Sequence, residues 1–113
     1  MMTDITTTEQ LEALIAHPGP VWLLKHSQTC SISMEAHAQV ESYAAHYPEQ
    51  PVGVVVIQTH RPLSNWISAR FAITHQSPQL FLVHGRALAW TTSHWQITSA
   101  AMAAAVAKIS AGR

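Results

Sequence analysis

Apolar positions along the chain change period several times, and each change marks an element. Leu11, Leu14 and Ile15 recur at helical spacing behind Thr7 and Gln10, which have the separation of a capping box. His17-Pro18-Gly19-Pro20 stops that helix. Val21-Trp22-Leu23-Leu24 is a continuous apolar run, expected as a short buried strand over about 21–25. A patterned segment, roughly 32–47, follows from Cys30 and predicts a helix with Val40, Ala44 and Tyr47 on one face. Tyr47-Pro48-Glu49-Gln50-Pro51 is a breaker loop. Val52-Gly53-Val54-Val55-Val56-Ile57 is apolar and β-branched, as in a strand buried on both faces.

Arg61-Pro62 opens a third helix, with proline in the first turn and Leu63, Trp66, Ile67 and Phe71 as its core stripe. Gln79–His84 and Ala87–Thr92, joined by Gly85-Arg86, predict an antiparallel hairpin. Thr98 is expected to cap an Ala-rich last helix over about 99–110, with Ile97 stapled onto Met102, and with Met102, Val106 and Ile109 facing inward. The predicted order is αβαβαββα. A βαβ unit followed by a hairpin and a covering helix resembles the thioredoxin-like order. The expected fold is therefore one α/β domain over 1–113, with a central mixed four-stranded sheet flanked by helices.

Composition narrows the function. The chain has 113 residues, 48% hydrophobic and 11% charged, which excludes disorder and is enough for a core without staples. Zero net charge gives no reason to expect nucleic acid or an anionic membrane as partner. No apolar run reaches the roughly 20 residues of a membrane span. One cysteine fits a reducing compartment, and the first ten residues have no signal-peptide pattern, so the cytoplasm is expected.

That cysteine is the chemical focus. Cys30 falls where the strand gives way to the helix, on the helix's expected first turn. A thiol there meets unpaired N–H groups and the positive end of the helix dipole, which favour thiolate. The other reading is a small buried hydrophobe. Cys30 and Ser33 form a C-x-x-S, a C-x-x-C without its second sulfur. If Cys30 is redox-active it has no internal resolving partner, so an external thiol must complete the exchange.

Lys25-His26-Ser27, then Thr29-Cys30, then Ile32-Ser33 resemble the K-H-S-x-x-C-P-I-S active site of the monothiol bacilliredoxins. Arg61-Pro62-Leu63-Ser64-Asn65, His75-Gln76-Ser77-Pro78-Gln79 and Ser93-His94-Trp95-Gln96-Ile97-Thr98 resemble three further blocks of that family, in matching order over about residues 8–107. Ser31 stands where the family usually has proline. Serine is expected to leave the helix's first turn less rigid and to restore a donor near the sulfur.

The resemblance implies a thioredoxin-like enzyme that removes bacillithiol from mixed disulfides on client proteins. Cys30 would be the nucleophile, bacillithiol the thiol co-substrate, and no cofactor would be permanently bound. Thr29, Ser33 and Pro78 are the expected supporting residues, and Pro78 takes the cis-proline position. Lys25, His26, Ser77, Ser93 and His94 are the expected ligand contacts, with a groove between Ser77 and the Ser93-His94 turn. Several roles stay open. Ser33 is either a donor to the thiolate or polar filler. His94 either orients the bound thiol's carboxylates, raises thiolate character, or is structural. Lys25 either attracts an anionic thiol or ends the strand in water. Trp95 is expected in the core or at a rim.

Alternatives are a glutaredoxin-like enzyme using glutathione or another thiol, and a thioredoxin-like binding module with an inert Cys30. Eight histidines invite a metal, but no H-x₃₋₅-H or C-x₂-C set lies beside Cys30. Ser31-Ile32 replaces the Gly-Phe of iron–sulfur monothiol glutaredoxins, which argues against a cluster.

Overall fold

Every apolar run named above becomes a strand or a helix stripe, and one strand appears that the pattern did not announce. The computed structural model describes residues 2–111. Its elements are β1 (Met2–Asp4), α1 (Thr8–Ile15), β2 (Val21–His26), α2 (Ser31–His46), β3 (Val52–Val56), α3 (Arg61–Phe71), β4 (Gln79–His84), β5 (Ala87–Ser93) and α4 (Ser99–Ala111). A 3₁₀ turn, His94–Gln96, links β5 to α4.

Among the described residues the sheet has five strands in the order β1-β3-β2-β4-β5, not the four expected. The extra one, β1, pairs parallel to β3, with Met2 opposite Val52 and Asp4 opposite Val54. β2 lies between parallel β3 and antiparallel β4, and β5 closes the far edge antiparallel to β4.

Two helices cover each face. Trp22 and Leu24 point to one side, against Val40 and Ala44 of α2 and Met102 of α4. Val21 and Leu23 point to the other, against Leu11 of α1 and Ile67 of α3. β2 is thus central and buried on both faces along its whole length. The indole N–H of Trp22 donates to Gln50 Oε1 at 2.8 Å, and the Tyr43 hydroxyl donates to the same oxygen at 2.7 Å. Tyr43, not Tyr47, fills the core face of α2; Tyr47 is the helix's C-cap, outside, stacked on Tyr43 with ring centroids 4.4 Å apart.

The capping signals act as expected. Thr7 and Gln10 form the reciprocal capping box of α1, and Thr98 Oγ1 accepts from Ala101 N at 3.1 Å at the start of α4. Gly85 and Arg86 have φ of 60° and 66°, the paired left-handed residues of a tight hairpin turn.

Candidate active site

The C-terminal ends of the parallel strands β2 and β3 lie side by side, and α2 starts from the loop that leaves β2. Cys30 is the N-cap of α2 rather than a residue of its first turn. Its φ of −109° and ψ of 127° are extended, and its carbonyl accepts from Met34 N at 3.1 Å. The residue is half-buried. The backbone N–H of Ser33 first, and that of Ile32 second, hold it below the usual thiol range, against a smaller opposing effect of desolvation. The Ser33 hydroxyl lowers it slightly further. Ser33 is wholly buried and its Oγ has no hydrogen-bond partner in the protein, so a thiolate at Cys30 is the acceptor open to it. The leading donors are therefore Ser33 and Ile32, not Ser31 as the sequence suggested.

The three residues before the cysteine are held from β3. Ile57 N donates to His26 O at 2.9 Å, continuing the β2–β3 ladder. Gln58 then donates through Nε2 to Ser27 Oγ at 2.7 Å and Thr29 Oγ1 at 3.3 Å, while its Oε1 accepts from Gln28 N at 3.2 Å. Sequence reasoning missed Gln58. The signal was present: it is among the first polar residues after an apolar strand, and loops at the C-terminal ends of adjacent parallel strands meet.

The other wall comes from the hairpin. The Ser77–Pro78 bond is cis, and Pro78 precedes Gln79, which pairs with Lys25 on one side and Ser93 on the other. This brings Pro78, Ser93 and the cysteine loop to one edge of the sheet. Pro78 O accepts from His94 N at 3.1 Å, and Ser93 Oγ donates to Gln76 Oε1 at 2.7 Å. These bonds tie the two segments together, and the cavity between them, about 280 Å³, is lined by Thr74, Gln76, Gln79, Thr92 and Ser93 but not by Ser77 or His94. A further cleft, with His94 in its lining, lies between α2 and the 94–98 turn. It has a volume of about 280 Å³, with Ile32, Ala36 and Ile97 beneath and Glu35, His94 and Trp95 at the rim. Trp95 belongs to this rim and not to the core, being 66% exposed.

Lys25 and His26 are not at the surface. Because β2 is covered on both faces, its last two residues point into opposite helical layers. Lys25 is 0% exposed; its Nζ donates to Ser68 Oγ at 2.7 Å and meets His75 Nδ1 at 3.1 Å. Burial, and then Arg61, lower its pKa to about 8. His26 is 8% exposed on the α2 side, its ring centroid 5.0 Å from that of His37. Burial and then His37 depress its pKa, which favours the neutral ring. Neither side chain offers an accessible charge to a ligand, which corrects both expected contacts. Lys25 is not a strand-end charge in water either. Ser77 keeps its backbone beside Pro78, while its Oγ is buried without a partner. His94 is exposed, with Nδ1 3.0 Å from Ser93 Oγ. Among the described residues no three His, Cys, Asp or Glu side chains gather as a metal site, and no helix is long and apolar enough to cross a membrane.

A cysteine at a helix N-cap and a cis-proline opening the neighbouring strand, on a sheet of this order, define a thiol–disulfide oxidoreductase of thioredoxin fold. Comparison with known proteins agrees. The profile of monothiol bacilliredoxin BrxC matches residues 3–102. The chain belongs to the monothiol bacilliredoxin family. Among solved structures, it is similar to a candidate oxidoreductase with a thioredoxin fold, at 28% identity, TM-score 0.86 and 92% coverage of both chains. Thioredoxin from Trypanosoma brucei brucei, at 10% identity, TM-score 0.82 and coverage of 98% of this chain and 92% of that one, shares the fold. So does chloroplastic thioredoxin z, at 15% identity, TM-score 0.79 and coverage of 98% and 96%.

Proposed function

We propose that the protein removes bacillithiol from mixed disulfides on client proteins in the cytoplasm, with Cys30 as its only reacting group. The observation that carries this reading is a thiol held toward thiolate at the start of α2 in a chain with no second cysteine. The family match supports the choice of small thiol.

The thiolate attacks the bacillithiol sulfur of the mixed disulfide. A Cys30–bacillithiol disulfide forms, the client–bacillithiol bond breaks, and the client leaves as a thiolate that takes up a proton. A second bacillithiol then attacks the sulfur of the bound one, releasing bacillithiol disulfide and restoring Cys30. In this reading the Ser77 backbone pairs with the amide of the bound thiol. His94 meets its carboxylates, a charge-assisted contact worth roughly 1.5–3 kcal/mol. Thr29 and Ser93 act through the loops they hold.

The test is intact mass after exposure to bacillithiol disulfide and, separately, glutathione disulfide. Faster formation of the bacillithiol adduct on Cys30, and its absence in Cys30→Ser, is expected. Preference for glutathione would assign the enzyme another thiol. No adduct with either would leave a binding module.

A further inference from the structure

The cleft between α2 and the 94–98 turn starts one residue from the reacting atom. The Ile32 N–H faces the sulfur, and the Ile32 side chain forms part of the cleft. Its most prominent wall is Trp95. Trp22 is wholly buried and Trp66 and Trp90 are partly so, whereas Trp95 stands 66% exposed.

Trp95 is exposed on a fixed turn. His94 adopts φ of 57°, a left-handed conformation uncommon outside glycine and one retained where the surroundings enforce it. Those surroundings are the bonds from His94 N to Pro78 O at 3.1 Å and from Ile97 N to His94 O at 3.2 Å. The opposite rim is also fixed. Glu35 Oε2 accepts from Gln39 Nε2 at 3.2 Å, and Gln39 Oε1 accepts in turn from Ser99 N at 2.9 Å. A fixed carboxylate and an exposed indole thus line one cleft together with the apolar Ile32, Ala36 and Ile97.

This set of groups suits a saturated ring with an apolar C–H face and a polar edge. The indole covers the face, and the carboxylate accepts from ring hydroxyl or amino groups. An aliphatic side chain of a client would use the floor but not Glu35. The chemistry of such a rim is that of sugar recognition. We infer that this cleft binds the hexosamine ring of a sugar-bearing thiol while its sulfur is joined to Cys30, with Trp95 as stacking platform and Glu35 as acceptor. The inference rests on the function proposed above, since bacillithiol is a cysteine joined by an amide to a glucosamine that carries malate.

The experiment is single-turnover thiolation of Cys30, followed by mass, with three symmetric disulfides: bacillithiol disulfide, the disulfide of cysteinyl-glucosamine, which lacks malate, and cystine, which lacks the sugar. In each, the thiolate attacks one sulfur, one half stays on Cys30, and the other half leaves as thiolate. Wild type should react faster with both sugar disulfides than with cystine. Trp95→Ala should slow the two sugar disulfides about three- to tenfold, the range expected from one lost ring contact, and leave cystine unchanged. Trp95→Phe should restore most of the rate, and Glu35→Gln should act in the same direction as Trp95→Ala. Equal slowing of all three disulfides, or of none, would overturn the sugar site while leaving the proposed function intact. So would slowing seen only with bacillithiolated proteins, which would make the cleft a client-docking surface. If wild type shows no preference for bacillithiol disulfide over cystine, the proposed function fails first.

Discussion

The ammonium of Lys25 stands 3.1 Å from Nδ1 of His75 in the interior, and the charge of Arg61 acts on both. The nearest polar groups that moderate this are hydroxyls: Ser68 on the lysine and Ser64, whose Oγ lies 3.3 Å from the same His75 nitrogen. The cluster joins β2 and α3 to the loop that leads into the cis-proline.

Burial, then Lys25 and Arg61, keep the pKa of His75 depressed, and Lys25 is lowered from 10.5 to about 8. A lowered pKa means that the unfolded chain binds more protons, so stability rises with pH across the interval between the two values. For Lys25 that interval is about 8 to 10.5. Stability contributed by neutral Lys25 is therefore lost as pH falls toward 8. His26 and His75, also depressed, add a second loss as pH falls below the ordinary 6.5. Urea midpoints should fall below pH 6.5 and climb above pH 8. In Lys25→Met the climb should flatten, because the titrating group is gone. An unchanged climb would mean that Lys25 does not titrate in that range.

The thiol should alkylate with an inflection below the ~8.5 of a free cysteine. Ser33→Ala should raise that inflection only slightly, because the backbone N–H groups of Ser33 and Ile32 come first and survive the change. Ser31→Pro, which restores the residue usual in the family, should leave it nearly unchanged. Position 31 is the first of α2, where proline is tolerated, and Cys30 already has the extended backbone that precedes proline. A stability gain of about 0.4–1 kcal/mol is expected in urea, from the stiffer unfolded chain. A large shift of the inflection in Ser31→Pro would mean that the Ser31 N–H also serves the sulfur.

The strands and helices that carry most apolar surface were legible because the period of their side chains is imposed by burial. β1 was not. Met2-Thr3-Asp4 has two exposed residues out of three and pairs only because the outer edge of β3 is free, which no local pattern reports. The places of Cys30, Pro78 and His94 in the fold were legible since each sits at an element boundary that the sequence marks. Lys25 misled because polarity at a strand end reads as exposure, while a central strand buries even its last residues. Gln58 and the α2 cleft depend on contacts between segments distant in sequence, so spacing within one motif carries no trace of them.

Gly53 is a packing requirement that the apolar run around it conceals. A Cβ there would lie 2.6 Å from Leu14 Cδ2 and 2.8 Å from Ile5 Cγ1. Leu14 has a movable end, but Ile5 would have to shift near its own backbone. Gly53→Ala should cost about 1–3 kcal/mol, the usual range for overpacking, read as a lower urea midpoint with the alkylation profile unchanged. A neutral effect would show that α1 rides on the sheet with slack.

Gln58 offers a way to separate holding the cysteine loop from tuning its charge. Its amide bonds one atom from each of the three residues before Cys30: Ser27 Oγ, Gln28 N and Thr29 Oγ1. Gln58→Ala removes all three partners and leaves the buried Ser27 hydroxyl to find another, at a cost of roughly 1–3 kcal/mol. It adds no charge, so the alkylation inflection should stay in place while the urea midpoint drops. Gln58→Glu does the reverse. A carboxylate still accepts from Gln28 N, and the Ser27 and Thr29 hydroxyls can turn to donate to it, so stability should be nearly kept. The new negative charge, set against Thr29 just before the cysteine, disfavours a second one on the sulfur and should move the inflection up. If both variants shift the inflection equally, the amide acts on the thiol through position alone. If neither lowers the midpoint, the loop is held by α2 and not by β3.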